Sequence, residues 1–214
     1  MRTLIKAVGI LALTSSLSGC VAAAVGAAAA SYGAVGYSAY TTFKDGDVYV
    51  ELNKVPPEPA ALDRIRSARS MVIWPVSGGG EGELADILED ATGIRIASPR
   101  KVGQYARKRD IPANSSALRA REKQDLAGRM GRAFKADMVL LSELRDVDVS
   151  AAVFATSKAT RNYRVYLIDA KNGAILWQED ARIISELTTS PPSPAEITRF
   201  SAQTLAKRLN ELRA

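Results

Sequence analysis

Two pairs of acidic residues are the side chains whose types and spacing could support acid–base or metal chemistry. Glu89 and Asp90 are adjacent, and Asp146 and Asp148 would share one face of a strand. General acid–base work needs a positioned partner group, and a divalent metal needs further oxygen ligands. No third ligand or base accompanies either pair, and the chain has no histidine. We therefore expect solvated acids, with no metal site and no cofactor.

The residue counts exclude other classes of chemistry. Without histidine, no serine can belong to a conventional catalytic triad. The single cysteine, Cys20, excludes intrachain disulfides, thiolate zinc sites and redox pairs. A hydrophobic content of 47% and a charged content of 24% over 214 residues are typical of a folded globular chain. We expect a folded protein that is not an enzyme.

A glycine-rich segment resembles a phosphate-binding loop in its spacing but not in its chemistry. Residues 80–85 match G-x-G-x-x-A and stand between an apolar run and a helical pattern. Glu81 and Glu83 would face the pyrophosphate, and no acid about 20 residues further on could hold a ribose. We interpret the segment as a turn whose acids favour the start of a helix.

Positive charge is concentrated in residues 95–135. This segment has twelve Lys and Arg against three acids, a net charge of +9, whereas the whole chain carries +6. It could bind an anionic envelope ligand, namely lipopolysaccharide or an acidic polysaccharide, or the acidic part of a neighbouring subunit. It could equally be a solvated pair of helices. The candidate contact residues are Arg100, Lys101, Arg107, Lys108, Arg109, Arg119, Arg121, Lys123, Arg129 and Arg132.

The N-terminus has the pattern of an export signal. Arg2 and Lys6 precede a short apolar stretch, and the sequence Leu17-Ser18-Gly19-Cys20 follows it. This tetrapeptide resembles the lipobox of bacterial lipoproteins, which implies a signal peptide over residues 1–19 and a lipid on the Cys20 sulfur. The alternative is a plain secretory signal. An aspartate at position 21 would resemble an inner-membrane retention signal, so Val21 favours sorting to the outer membrane. We expect the protein to face the periplasm, a compartment that disfavours nucleic acid as a partner.

Residues 20–59 form an expected membrane-proximal segment and linker. Residues 21–43 are uncharged and rich in Ala and Gly but contain no Leu or Ile, so their drive into hydrocarbon is weak. They could lie on the membrane, pack in an assembly, act as a spacer or span the bilayer. Residues 47–53 alternate as in a half-buried strand, and three prolines at 56, 57 and 59 indicate a boundary.

The remaining residues, 60–214, are expected to form one periplasmic domain. A buried strand over 71–76 precedes a helix that Gly93 ends, then a short strand over 94–97, a helix opened by Ser98-Pro99 and a longer helix over 116–135. Three strands follow, two of them joined through Asn172-Gly173, and a capping box at residues 193–196 begins the last helix. The order βαβαα-βββ-α predicts an α/β fold, a layered sandwich with a mixed sheet.

Three pieces of this domain carry a family resemblance. They are the first strand MVIWPVSGGG, the helix-to-strand step KADMVLLSEL and the hairpin YRVYLIDAKNGAILWQ. They resemble the α/β domain of the curli-secretion (CsgG), LpoB and PelC-like family of bacterial outer-membrane lipoproteins. The resemblance implies envelope assembly, secretion or export work through protein contacts and homo-oligomer formation, without catalysis. It assigns no functional residue of the family to this chain.

Overall fold

The computed structural model describes residues 40–75, 80–113, 115–150, 157–187 and 191–214. Cys20, the lipobox residues Leu17, Ser18 and Gly19, the rest of the expected signal peptide and residues 21–39 lie outside the described residues. The structure therefore bears on the domain, and the expectations for the N-terminus stay predictions.

The described residues form seven strands and five helices. The strands are β1 (Tyr40–Asp45), β2 (Val48–Asn53), β3 (Ser70–Ile73), β4 (Arg95–Ile96), β5 (Met138–Ser150), β6 (Ser157–Asp169) and β7 (Ile175–Leu187). The helices are α1 (Pro59–Ser67), α2 (Glu81–Thr92), α3 (Pro99–Lys108), α4 (Ala120–Phe134) and α5 (Pro194–Arg213). Alternation of helices and strands in this order confirms the α/β class.

All seven strands belong to one mixed sheet in the order β1-β2-β7-β6-β5-β3-β4. The pairs β3–β4 and β3–β5 are parallel, and every other neighbouring pair is antiparallel. The parallel strands are joined through helices, whereas β5, β6 and β7 follow one another as an antiparallel meander. The mixed sheet that the sequence predicts is therefore confirmed.

Helices cover both faces of the sheet, and each face has its own core. On one face, Ile65 of α1, Leu88 of α2 and Leu209 of α5 pack against Leu140 and Leu167 of the sheet. On the other face lie α3 and α4, whose buried residues include Val102 and Met130, packed against Val139, Leu141 and Ile168. Adjacent residues of β5 alternate between the two cores, as the pleat of a strand requires.

The predicted turns and caps hold these elements in place. Ser193 Oγ accepts a hydrogen bond from the Glu196 backbone N–H at 3.2 Å, which confirms the capping box of α5. Gly93 ends α2 in the left-handed region, with φ of 66°. Gly173, with φ of 75°, closes the turn between β6 and β7. A β carbon on Gly173 would lie only 2.8 Å from the Gln124 carbonyl oxygen, so this turn also packs closely on α4.

The folded unit begins earlier than the expected boundary at residue 60. The hairpin β1–β2 hydrogen-bonds along β7, and the compact unit therefore covers Tyr40–Ala214. Val50 and Leu52 of β2 belong to the core. Pro59 starts α1 rather than ending regular structure, because proline is tolerated in the first turn of a helix. The apolar run at residues 138–141 belongs to a longer strand, β5, which extends to Ser150.

Candidate functional site

Nine of the ten predicted contact cations are exposed on the layer formed by α3, α4 and their connection. None of the nine forms an ion pair with an acid in the described part of the chain. Arg109 lies 5.9 Å from the centroid of the Tyr105 ring, and Arg132 Nη1 donates to the Lys171 carbonyl oxygen at 3.3 Å. We call this surface the basic face; its members are Arg100, Lys101, Arg107, Lys108, Arg109, Arg119, Arg121, Arg129 and Arg132.

Lys123, the tenth predicted contact residue, is not part of this surface. It is buried beneath α4, where Nζ lies 2.7 Å from Glu143 Oε2 on β5. Arg145 Nη1 lies 2.7 Å from the other carboxylate oxygen of Glu143, and the Tyr166 hydroxyl donates to Oε2 at 3.2 Å. Position 123 falls on the sheet-facing side of the helix, so its ammonium group pairs with the one buried acid opposite. Lys123 is therefore paired inside the domain and is not part of the exposed surface predicted to contact an anion or a partner.

In this buried cluster, two cations face the one carboxylate of Glu143. Burial raises the pKa of Glu143, but hydrogen bonds and charges from Lys123 and Arg145 outweigh it and hold the pKa below its ordinary value. Burial and the Glu143 charge raise the pKa of the Tyr166 phenol. The carboxylate of Glu143 is therefore ionised and fully engaged, which is the state of a structural ion pair rather than of a proton-transfer group.

The two carboxylate pairs do not come together in one site. Glu89 Oε2 accepts a hydrogen bond from the Ile96 backbone N–H at 3.0 Å, whereas Asp90 is exposed. Asp146 and Asp148 share one face of β5, as expected, and Asp146 accepts a hydrogen bond from Asn162 on β6. In the described part of the chain, no group of three or more potential metal ligands occurs.

The segment with dinucleotide-like spacing begins α2. Gly80, with φ of 96°, precedes the helix, and Glu81 and Glu83 lie in its first turn. Glu83 Oε1 accepts a hydrogen bond from Arg199 Nε of α5 at 3.1 Å. Negative side chains stabilise a helix N-terminus, and they would repel a phosphate there.

The sequence does not predict the second surface, which lies on the ends of the three long strands. We call residues 142–150 of β5, 157–163 of β6 and 181–187 of β7 the distal ribbon. A bulge between Leu144 and Asp146 shifts the alternation of β5 by one residue. As a result, Leu144, Val147 and Val149 share one face of the ribbon. Val147 is 52% exposed and Val149 is 61% exposed.

One edge of the distal ribbon is open. β3 pairs with β5 only from Met138 to Leu140, and Trp74 N–H adds one bond to the Leu140 carbonyl oxygen at 2.8 Å. Beyond Leu140, no strand among the described residues pairs with the outer side of β5. The signal available in the sequence is the Val-x-Val alternation at residues 147–149, which follows the core strand without interruption.

No helix in the part of the chain that the structure describes combines the length and apolar character needed to cross a bilayer. The longest described helix, α5, has 20 residues and carries several charged side chains.

Comparison with known proteins gives no family assignment but finds similar solved structures. No family model and no curated protein matches the chain. The lipoprotein GNA1162 from Neisseria meningitidis is 19% identical over 66% of this chain and 98% of that chain, with a TM-score of 0.44. A dodecamer of PelC from Paraburkholderia phytofirmans is 17% identical over 78% and 98%, with a TM-score of 0.39. The solved structures that this chain is similar to therefore include a bacterial lipoprotein.

Proposed function

We propose that this chain is a non-catalytic lipoprotein of the bacterial outer membrane. It faces the periplasm and acts as an assembly, secretion or export accessory factor through self-association or partner binding. The observation that carries the proposal is the distal ribbon, with its open edge on β5 and the exposed side chains of Val147 and Val149. The lipobox residues and the resemblance to the CsgG, LpoB and PelC-like family support the location.

The ribbon has the properties of a contact surface. An open strand edge presents unpaired backbone N–H and C=O groups, which pair readily with a strand of another chain. Val147 and Val149 would bury apolar area in the same event, at about 25 cal/mol per Å². Charged residues on an exposed edge normally discourage such pairing. Asp146 and Asp148 lie on the opposite face of β5 from the valines, so they do not interrupt the apolar face.

Light scattering of the acylated full chain in detergent tests self-association. We expect an oligomer for the unmodified chain and a shift toward monomer for Val147→Lys and Val149→Lys, which place a charge on the apolar face. Val55→Lys is the matched control, because Val55 is 42% exposed but lies in the connection between β2 and α1. A monomer at every concentration would contradict self-association, and equal effects of all three substitutions would contradict the ribbon as the contact surface.

A second candidate function is binding of an anionic envelope ligand, either lipopolysaccharide or an acidic polysaccharide, by the basic face. Nine exposed cations without an acidic partner among the described residues favour it. We expect binding that weakens steeply with salt, since exposed charges are screened over about 8 Å at physiological ionic strength. Changing Arg107, Lys108 and Arg109 to Gln should weaken binding, whereas changing Arg145, outside the basic face, should not. No binding at low salt would contradict this function.

A further inference from the structure

An apolar groove lies between the sheet and the N-terminal half of α5. Its volume is about 270 Å³. Leu144, Tyr163 and Ile183 form part of its sheet wall, and Ile197, Ser201 and Leu205 of α5 form the other wall. The groove lies on the same face of the sheet as Val147 and Val149 of the distal ribbon.

The β6 and β7 walls of the groove offer little backbone hydrogen bonding to an occupant. The strands that carry Tyr163 and Ile183 are hydrogen-bonded on both sides, β6 to β5 and β7, and β7 to β6 and β2. The Ser201 hydroxyl donates to the Ile197 carbonyl oxygen at 2.7 Å. A peptide lying against these walls, away from the open edge of β5, would leave its own backbone groups unpaired, which is unfavourable, whereas an alkyl chain has no such groups.

An unpaired cation stands on the same face of the sheet. Arg161 lies two residues before Tyr163 on β6, and its register partners are Val147 and Ile183. Its Nη1 atom is buried and has no hydrogen-bond partner among the described residues. Burial raises the pKa of Tyr163 and the Arg161 charge opposes this, so the guanidinium acts on the residue that lines the groove. A buried guanidinium nitrogen without a hydrogen-bond partner favours an anionic acceptor beside it.

We propose that the groove binds the alkyl chain of a single-chain fatty acid, with the carboxylate at Arg161. The volume is slightly below the roughly 300 Å³ at which the range for small-molecule sites begins, which suits one chain rather than two. Neighbouring same-face residues of a strand are about 7 Å apart, so a carboxylate at Arg161 leaves the chain to run past Tyr163 toward α5. This inference goes beyond the proposed function and does not depend on the identity of any protein partner.

Photo-crosslinking of the acylated full chain in phospholipid nanodiscs tests the proposal. The probe is a 16-carbon fatty acid with a diazirine near its methyl end, and cross-linked peptides are located by mass spectrometry. We expect saturable labelling within α5 residues 197–205 or the β6 peptide around Tyr163. Unlabelled fatty acid should compete, and the alcohol of the same length should compete about tenfold less well, because it cannot form a charge-assisted hydrogen bond with Arg161.

Two substitutions and one control separate the contributions of the alkyl chain and the carboxylate to binding of the fatty acid. Arg161→Gln should weaken labelling about tenfold, and Arg129→Gln, which removes an equal charge from the basic face, should leave it unchanged. Ser201→Phe should abolish labelling by filling the groove, with an unaltered urea midpoint as the check on folding. Labelling outside the groove, or labelling at the groove that neither Arg161→Gln nor the alcohol distinguishes, would overturn the proposal.

Discussion

Removal of the Glu143 carboxylate tests the interpretation of the buried cluster as a structural ion pair. Its side chain has 0% exposure and bridges Lys123, which is 11% exposed, to Arg145, which is 44% exposed. In Glu143→Gln, the Lys123 ammonium group stays buried without a compensating charge. Breaking a buried pair in this way destabilises a fold by about 3–5 kcal/mol. The loss corresponds to a decrease in the melting temperature of about 6 to 20 °C.

Substitution of either cation of the cluster should lower the free energy of unfolding by less than Glu143→Gln does. Lys123→Met leaves Glu143 with Arg145 and Tyr166, so the loss should be nearer the 1.5–3 kcal/mol typical of a hydrogen bond to a charged group, or about 2 kcal/mol. Arg145→Met should lower stability by under about 1 kcal/mol, because its side chain is nearly half exposed and the pair is screened by solvent.

Urea unfolding of Lys123→Met, of Glu143→Leu and of the double variant Lys123→Met/Glu143→Leu measures the coupling between the two groups. The double variant should be more stable than Glu143→Gln and close to the unmodified chain, because removing both charges removes the burial penalty. Additive losses in the double variant would refute the reasoning. So would a loss of less than about 1 kcal/mol in Glu143→Gln, since the carboxylate would then contribute no more than a surface charge.

Three further predictions concern the pH dependence of this cluster and two other positions of the chain. Because the pKa of Glu143 is lowered in the folded state, its carboxylate stabilises the fold at pH values above its ordinary pKa. In urea titrations, the difference in unfolding free energy between the unmodified chain and Glu143→Gln should therefore narrow as the pH falls below about 4. Gly131→Ala should destabilise the fold by about 1–3 kcal/mol in thermal unfolding, since its β carbon would lie 2.3 Å from the Ala170 β carbon; an unchanged melting temperature would contradict this packing. Cys20→Ser should move the protein out of the membrane fraction in cell fractionation, and retention there would contradict lipidation at Cys20.

Local sequence signals predict most of the elements of the domain. Gly93, Gly173 and the capping box at Ser193 each mark a helix end, a turn or a helix start through a backbone requirement that few residues meet. The apolar run at residues 138–141 predicts a core strand, and all four residues are buried in the structure. These signals act within a few residues, so they can be interpreted without knowledge of the tertiary structure.

The features that the sequence does not predict depend on long-range contacts. Alternation in β2 predicts a strand, but only its pairing with β7 makes it part of the domain. In the sequence, Lys123 resembles the exposed Lys and Arg residues around it. Its burial follows from the position of Glu143 on β5. Likewise, the groove and Arg161 come together through the pairing of β5, β6 and β7, which no local pattern specifies.

The bulge in β5 determines which side chains of the ribbon face the apolar groove. Asp146 and Val147 alternate out of step with Met138 and Val139, because Arg145 is the extra residue of the bulge. If Arg145 entered a regular ladder, Asp146 would lie opposite Arg161 and Val147 would turn to the other face of the ribbon. Deleting Arg145 would instead remove the bulge and leave Leu144, Val147 and Val149 on one face. Among homologues that keep the same surface, loss of the bulge should therefore accompany loss of one residue between Leu144 and Asp146.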